Sequence, residues 1–129
     1  MDRSAPARDL GYSRAVSKLT THVLDTSRGA PAAGVLVTLE VRDPDGAWSS
    51  RGGGVTDADG RLRTLLPGDA ALPAGVYRLT FDVAAYFGAA GVASFFPSVA
   101  ITFEVRDADQ HHHVPLLLSP FSYTTYRGS

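Results

Sequence analysis

The stretch "VLVTLEVRDPDGAWSSRGGGVT", residues 35–56, decides the fold class of this chain. Its first half alternates between apolar and polar residues, with Val35, Val37 and Leu39 on one face. This period of two is typical of a β-strand that buries one face. The following "DPDG", residues 43–46, suits a tight turn, since Pro fits its second position and Gly accepts a positive φ. The segment predicts a hairpin whose return strand is weakened or bulged by three consecutive glycines.

The same alternation recurs along the rest of the chain. It predicts further strands at residues 18–25, 61–66, 76–83, 95–107, 111–119 and 121–129. Between the third and fourth of these, "DVAAYFGAAG" loses the period and is rich in alanine, so it predicts one or two helical turns that stop at Gly91. Seven or eight strands without a repeating βαβ unit indicate an all-β fold, most simply a two-sheet sandwich.

Length and composition indicate one domain and exclude several classes of protein. The 129 residues suit a single domain, which we place at residues 18–129, with residues 1–17 as a flexible extension. The chain has no cysteine, so neither a disulfide framework nor thiolate chemistry is expected. The extension lacks the apolar core of a secretory signal, and no apolar run approaches the roughly 20 residues of a membrane helix. We therefore expect a cytoplasmic protein without a membrane partner.

Charge gives no sign of a polyanionic partner. Twelve basic and 13 acidic residues leave a formal net charge of −1. Nucleic acids and anionic membranes attract proteins with a basic surface. The sequence therefore predicts no nucleic-acid partner.

The four histidines are the first candidates for chemistry. Three are consecutive, at residues 111–113, and the fourth is His22. Because neighbours on a strand point to opposite faces, His111 and His113 share one face and His112 takes the other. His22 and His113 are both expected to point out of their sheet. If their strands are neighbours, the two imidazoles can share a site, as bases or as metal ligands.

Simpler interpretations compete with these. A histidine on an outer strand face is usually only solvated, and so is an arginine at a strand start, such as Arg61 after "DADG". Three adjacent histidines suit zinc or nickel, but a strand offers one ion at most two of them, and no acidic residue directly flanks the run. No native metal site is predicted. Ser27 and Ser119 lack a G-x-S-x-G context, which argues against a serine hydrolase.

Four segments together resemble a known family. In chain order they are "KLTTHVLDTSRGAPAAGVLVTLE", "TDADGRLRTLLP", "YFGAAGVASFFPSVAITFEV" and "HHHVPLLLSPFSYTTYRGS". They resemble the 5-hydroxyisourate hydrolases, transthyretin-like proteins of purine catabolism, over residues 18–129. The early segments resemble many sandwich modules, whereas "HVPLLLSP" followed by a terminal "YRGS" is specific to the family, and the terminal tetrapeptide separates the hydrolases from the hormone carrier transthyretin. Two positions depart from the family pattern: His112 replaces a common Tyr, and Thr124 replaces a Ser.

The resemblance implies a fold, an assembly and a reaction. It implies an eight-stranded transthyretin-like sandwich with one short helix, assembled as a homotetramer, a dimer of dimers with active sites at the dimer–dimer interface. It also implies hydrolysis of 5-hydroxyisourate to 2-oxo-4-hydroxy-4-carboxy-5-ureidoimidazoline in urate degradation. The six-membered ring opens at a C–N bond, and no metal or organic cofactor takes part.

Seven positions of this chain match the family's functional motifs. The resemblance implies catalytic roles for His22, Arg61 and His113, and substrate binding by Tyr126, Arg127, Gly128 and Ser129. As a hypothesis consistent with these residues, His22 and His113 hold and activate water, one of them as general base, while Arg61 holds the substrate's carbonyl or the developing oxyanion.

Two other functions fit a sandwich of this size. One is a carrier of a small aromatic ligand, as transthyretin is, and the other is an adhesive or regulatory module. A carrier does not need two bases and a guanidinium together, and a plain module does not explain the C-terminal strand pair. The joint presence of His22, Arg61, His113 and the terminal "YRGS" favours the hydrolase.

Overall fold

Nine strands and one short helix make up residues 17–129, the part of the chain that the computed structural model describes. The strands are β1 (Leu19–Asp25), β2 (Ala30–Pro31), β3 (Leu36–Arg42), β4 (Trp48–Val55), β5 (Arg61–Leu62), β6 (Gly75–Asp82), β7 (Ser98–Val105), β8 (His112–Leu118) and β9 (Tyr123–Thr125). The helix α1 (Val83–Ala89) follows β6. The predicted all-β class is confirmed.

The strands form two sheets, as predicted for a sandwich. One sheet has the order β4-β3-β6-β7 and is antiparallel throughout. The other has the order β2-β1-β8-β9, and β5 also pairs with β1, beside β2. Within it β1 and β8 run parallel, so segments about 90 residues apart in sequence become neighbours. This pairing positions the functional site.

The core lies between the two sheets and is made by the predicted alternation. The inward side chains of the first sheet that are 2% exposed or less include Val37, Leu39, Tyr77, Leu79 and Phe81. Those of the second sheet that are fully buried include Leu19, Val23, Leu116 and Leu118. Burying one such apolar side chain contributes about 1.5–3 kcal/mol to folding. The opposite face of β3 carries Thr38, Glu40 and Arg42, whereas that of β8 carries His113 beside the apolar Pro115 and Leu117.

The predicted hairpin and its bulge are both present. The turn closes with the N–H of Gly46 donating to the carbonyl of Asp43 at 2.9 Å. The pairing of β3 with β4 shifts where Leu39 faces Gly52, which leaves Arg51 as an extra residue on β4. A Cβ at position 52 would overlap the carbonyl oxygen of Leu65, so glycine is required for this close approach of two backbones.

The predicted helical turns form α1. The side chain of Asp82 caps its first turn by accepting the N–H of Ala85 at 3.1 Å. Within residues 17–129, no helix is long and apolar enough to cross a membrane. Residues 1–16 of the predicted extension lie outside the described part of the chain. Its last residue, Ser17, is buried, and its N–H donates to the carbonyl of Arg63 at 3.0 Å.

Candidate active site

The pairing partners of β1 bring the three predicted catalytic residues to one face of the sheet. Thr20 pairs with His113 across the parallel β1–β8 ladder, and His22 pairs with Arg61 across the β1–β5 ladder. Paired residues share a face, and residues two apart on one strand do so too. His22, Arg61 and His113 therefore all point away from the core, as the alternation predicted for the histidines.

A cleft of about 220 Å³ opens on this face. Its walls include the side chains of Arg61, Arg63, His111 and His113. Arg63 also lies 3.6 Å from a carboxylate oxygen of Asp57. The cleft is therefore a cationic and imidazole-rich surface, suited to a polar ligand that carries or develops negative charge.

Within residues 17–129, one directional hydrogen bond holds the ring of His22. Its Nε2 lies 2.9 Å from the carbonyl oxygen of Asp59. A carbonyl oxygen can only accept, so Nε2 carries the proton and neutral His22 keeps its lone pair on Nδ1. This tautomer leaves Nδ1 available to accept a proton from water.

The "DADG" turn positions both His22 and Arg61. Oδ1 of Asp57 accepts the N–H of Asp59 at 2.9 Å and the N–H of Arg61 at 3.0 Å. The hydrogen bond from Arg61 is the main cause that keeps the pKa of Asp57 below its usual value. The carboxylate thus organises the turn that offers a carbonyl to His22 and starts β5 with Arg61.

His113 is held from the side of Thr20. Its Nδ1 lies 2.7 Å from Oγ1 of Thr20, and the same hydroxyl lies 3.2 Å from Nε2 of His111. Burial lowers the pKa of His113 below its usual value, and the nearby charges of His111, Arg61 and His22 lower it further. Near neutral pH His113 is therefore an uncharged imidazole, the form that a general base needs.

His112 points to the core side, as the alternation predicted. It is 4% exposed, and its Nδ1 donates to the carbonyl of Gln110 at 3.0 Å. Burial, and next the charge of Arg127, lower the pKa of His112. The three consecutive histidines are thus divided between two faces. Within residues 17–129, no three His, Cys, Asp or Glu side chains come together in a way that could hold a metal ion.

The C-terminal residues reach the site through Gly128. Its N–H donates to the carbonyl of His113 at 2.8 Å. A Cβ at this position would lie 2.6 Å from Cδ2 of the His113 ring, so only glycine allows this contact without displacing the imidazole. Ser129 follows and lines the cleft.

Tyr126 and Arg127 do not line this cleft. They line a second cavity of about 230 Å³ together with Phe103 and His112, and His113 lines both cavities. Arg127 donates from Nη2 to Oε1 of Gln110 at 3.1 Å. Tyr126 and Arg127 therefore share a cavity with His113 but not with Arg61, and their role in substrate binding stays a prediction.

Four residues that line the cleft are not among the predicted site residues: Thr20, Thr21, Arg63 and His111. Thr20 shares a face with His22 by the same alternation, which was the signal available in the sequence. His111 was assigned to the face of His113 but given no role. Their connection through one hydroxyl depends on the pairing of β1 with β8 and is not visible in the sequence.

A model of the HIUase/Transthyretin family matches residues 19–128. The chain belongs to this family. The family includes both hydrolases and transthyretins, so membership fixes the fold and leaves the function to the residues of the cleft. The predicted transthyretin-like sandwich is confirmed.

Named relatives within the family include hydrolases and a transthyretin. The chain is 42% identical to a 5-hydroxyisourate hydrolase of Salmonella dublin, covering 98% of this chain and 90% of the relative. It is 50% identical to a uric acid degradation bifunctional protein of Arabidopsis thaliana, covering 86% of this chain but only 37% of that longer protein. A solved 5-hydroxyisourate hydrolase of Klebsiella pneumoniae has a TM-score of 0.75 at 41% identity, covering 86% of this chain and 98% of that one. Sea bream transthyretin, solved with thyroxine, has a TM-score of 0.80 at 37% identity, covering 86% and 94%.

Proposed function

We propose that this protein is a 5-hydroxyisourate hydrolase of urate degradation, which forms 2-oxo-4-hydroxy-4-carboxy-5-ureidoimidazoline. The observation that carries the proposal is the placement of two imidazoles, His22 and His113, on one face with the guanidinium of Arg61. Two relatives that match this chain over nearly their whole length are named 5-hydroxyisourate hydrolase. The chain spans little more than a third of the bifunctional plant protein, whose second activity is not part of the proposal.

The proposed reaction is addition of water to a ring carbonyl followed by cleavage of its C–N bond. His113 accepts a proton from water as the oxygen attacks the carbonyl carbon. The electron pair of the C=O bond moves to oxygen, and Arg61 stabilises that oxyanion with its fixed charge and planar donors. When the C–N bond breaks, the proton passes to the leaving nitrogen, so atoms and charge balance. His22 lies on the same face but does not line the cleft itself. Its Nδ1 has no hydrogen-bond partner within residues 17–129, and in the proposed reaction it holds the same water.

The size of the cleft supports a small substrate. Pockets for drug-sized ligands usually hold about 300–1,000 Å³. A cleft of about 220 Å³ lined by cationic and imidazole groups suits one compact, polar heterocycle rather than a long apolar molecule.

The proposed assembly is a homotetramer, a dimer of dimers with sites at the interface between dimers. Exposed aromatic side chains support an interface: Phe95 and Phe121 are 71% and 72% exposed. In such an assembly Tyr126 or Arg127 of one subunit would contact the substrate bound at the cleft of a neighbouring subunit. A cytoplasmic location and a domain that starts at residue 18 also remain predictions.

The carrier alternative rests on the fold alone. The sea bream transthyretin solved with thyroxine has the same architecture, so the fold does not separate the two functions. The residues of the site separate the two functions. His22 and His113 provide a base and Arg61 stabilises an oxyanion, and a carrier uses neither.

Ultraviolet decay of freshly generated 5-hydroxyisourate tests the proposal. Urate oxidase supplies the compound in place, and the decay is followed with wild-type protein, Arg61→Gln and Arg106→Gln. Arg106 is a matched control, since its side chain is 84% exposed and does not line the cleft. Wild type and Arg106→Gln should accelerate the decay, and Arg61→Gln should be about 10²–10³-fold slower. Folded wild-type protein that leaves the spontaneous rate unchanged would show the proposal to be wrong.

A further inference from the structure

One hydroxyl lies between two imidazoles at the wall of the cleft. Oγ1 of Thr20 is 2.7 Å from Nδ1 of His113 and 3.2 Å from Nε2 of His111. The two rings stack at 6.4 Å with an interplanar angle of 18°. Thr20 is 5% exposed, so bulk water has little access to compete for its hydroxyl.

Two states of this arrangement satisfy every donor when both rings are neutral. A threonine hydroxyl has one proton to donate and two lone pairs to accept with. Both rings could donate to it, but its own proton would then have no acceptor within residues 17–129. In the two satisfied states it donates to one ring nitrogen, and the other ring nitrogen donates to it. Either His113 carries its proton on Nδ1 and His111 accepts from Thr20, or His111 carries its proton on Nε2 and His113 accepts.

Only the first state leaves His113 able to act as a base toward the cleft. With the proton on Nδ1, the lone pair of His113 is on Nε2, which has no hydrogen-bond partner within residues 17–129. In the second state Nε2 carries the proton, and the only lone pair of the ring is occupied by Thr20.

The first state also fits the ring after it has accepted a proton. His113 then carries hydrogen on both nitrogens, so its Nδ1 can only donate, and Thr20 must donate onward to His111. The same hydrogen bonds therefore serve the base and its conjugate acid, and no hydroxyl has to turn during proton transfer. Gly128 holds the ring on the Cδ2 side, so the imidazole is fixed from two directions.

We propose that Thr20 and His111 are positioning residues of the hydrolase: together they hold the proton of neutral His113 on Nδ1 and keep its Nε2 free as the base. The inference rests on the proposed function for its catalytic consequence. The tautomer itself is a property of the folded chain and can be measured without substrate. His111 acts here as the final acceptor, which gives a role to the first of the three consecutive histidines.

Imidazole ¹⁵N NMR of the full-length protein, combined with turnover of 5-hydroxyisourate, tests the proposal. We expect the Nδ1–H tautomer of His113 in the wild type and in Thr20→Ser, which keeps the hydroxyl. Thr20→Val keeps the shape and removes the hydroxyl. It should shift His113 toward the Nε2–H tautomer and lower kcat about 10–100-fold, with a much smaller change in KM.

Two further variants keep the test decisive. Thr26→Val is the matched control, because Oγ1 of Thr26 also bonds across to the β8 side, to the carbonyl of Leu118 at 3.2 Å, away from the histidines. It should change neither the tautomer nor kcat. His111→Phe keeps a stacked ring and removes the acceptor. It should act like Thr20→Val, and it replaces that variant if Thr20→Val does not fold.

The outcomes separate this proposal from the proposed function. An Nε2–H tautomer in the wild type, or an unchanged tautomer and kcat in both Thr20→Val and His111→Phe, would overturn the positioning role. If the wild type itself does not accelerate the decay of 5-hydroxyisourate, the hydrolase proposal fails. The NMR spectra alone then decide whether Thr20 sets the tautomer.

Discussion

Gly128 packs directly against the imidazole of His113 and bonds to the same residue's backbone. The N–H of Gly128 lies 2.8 Å from the carbonyl oxygen of His113, and the position of a Cβ there would be 2.6 Å from Cδ2 of the ring. Residues from the end of the chain thus set the position of a side chain that is proposed to act as the base.

The first prediction concerns this contact. Gly128→Ala should displace the His113 ring and lower kcat about 10–100-fold, because positioning of a base strongly affects proton transfer. Stopped-flow turnover and a thermal melt measure the two effects. Gly88→Ala is the control, since a Cβ there meets nothing within 4 Å and lies inside α1. It should leave kcat unchanged and stabilise the fold by about 0.5–1 kcal/mol. Equal turnover by both variants would contradict the structural argument.

The second prediction concerns the pH dependence of activity. Burial and neighbouring charges lower the pKa of His113, so the neutral base persists below about pH 6.5. We expect kcat to stay constant from pH 8 to about pH 6.5 and to fall at lower pH, with its inflection below the ordinary histidine value. A pH profile of kcat at saturating substrate measures this. An inflection clearly above pH 6.5 would show that a group other than neutral His113 limits the rate.

The third prediction concerns the pH dependence of stability. His112 and His113 both have a pKa lowered on folding, so the unfolded chain binds more protons than the folded chain below about pH 6.5. The free energy of unfolding should therefore be highest above pH 6.5 and should fall as the pH drops through the lowered values. Urea unfolding between pH 7.5 and pH 5 measures the slope.

A variant separates the two contributions to that slope. His112→Tyr removes one of the two titrating rings while keeping an aromatic side chain, so the slope should become shallower over the same range. A slope that is unchanged in His112→Tyr would mean that burial of this ring does not contribute to the loss of stability.

The fourth prediction concerns the turn that holds His22 and Arg61. Asp57→Ala removes the acceptor of two N–H groups, and it should cost about 1 kcal/mol of stability and reduce kcat. Asp45→Ala is the control, because Oδ1 of Asp45 accepts the N–H of Ala47 at 2.9 Å in the remote hairpin turn. It should lose comparable stability without losing turnover. If both variants keep full kcat, the turn has no part in positioning the site.

Local patterns predicted most of the fold, because alternation decides which side chains are buried. Tyr77, Leu79 and Phe81 were predicted inward and are buried. The strand predicted at residues 61–66 is shorter in the structure than predicted, because only Arg61–Leu62 pairs with β1. Leu65 and Leu66 are both buried although they are neighbours, so they pack as a loop rather than as an alternating strand.

The candidate site was predictable only in its residue types. The facing of His22 and His113 follows from alternation, but their proximity depends on the parallel pairing of β1 with β8, which no local pattern encodes. The direction of the Arg127 side chain was even less predictable from the sequence. Regular pairing of β9 ends at Thr125, so alternation no longer predicts which way the following side chains point.

The parallel pairing of β1 with β8 also has a consequence for biosynthesis. Thr20 and His113 are 93 residues apart, so the ribosome needs about 5–20 seconds to make the second after the first. During that time the β1 edge that will bond to β8 has no partner and is open to mispairing with other chains. His22 and Arg61 are therefore synthesised several seconds before His113, which completes the site. Slower translation should lengthen the time for which the edge of β1 is unpaired, and so increase aggregation of the nascent chain.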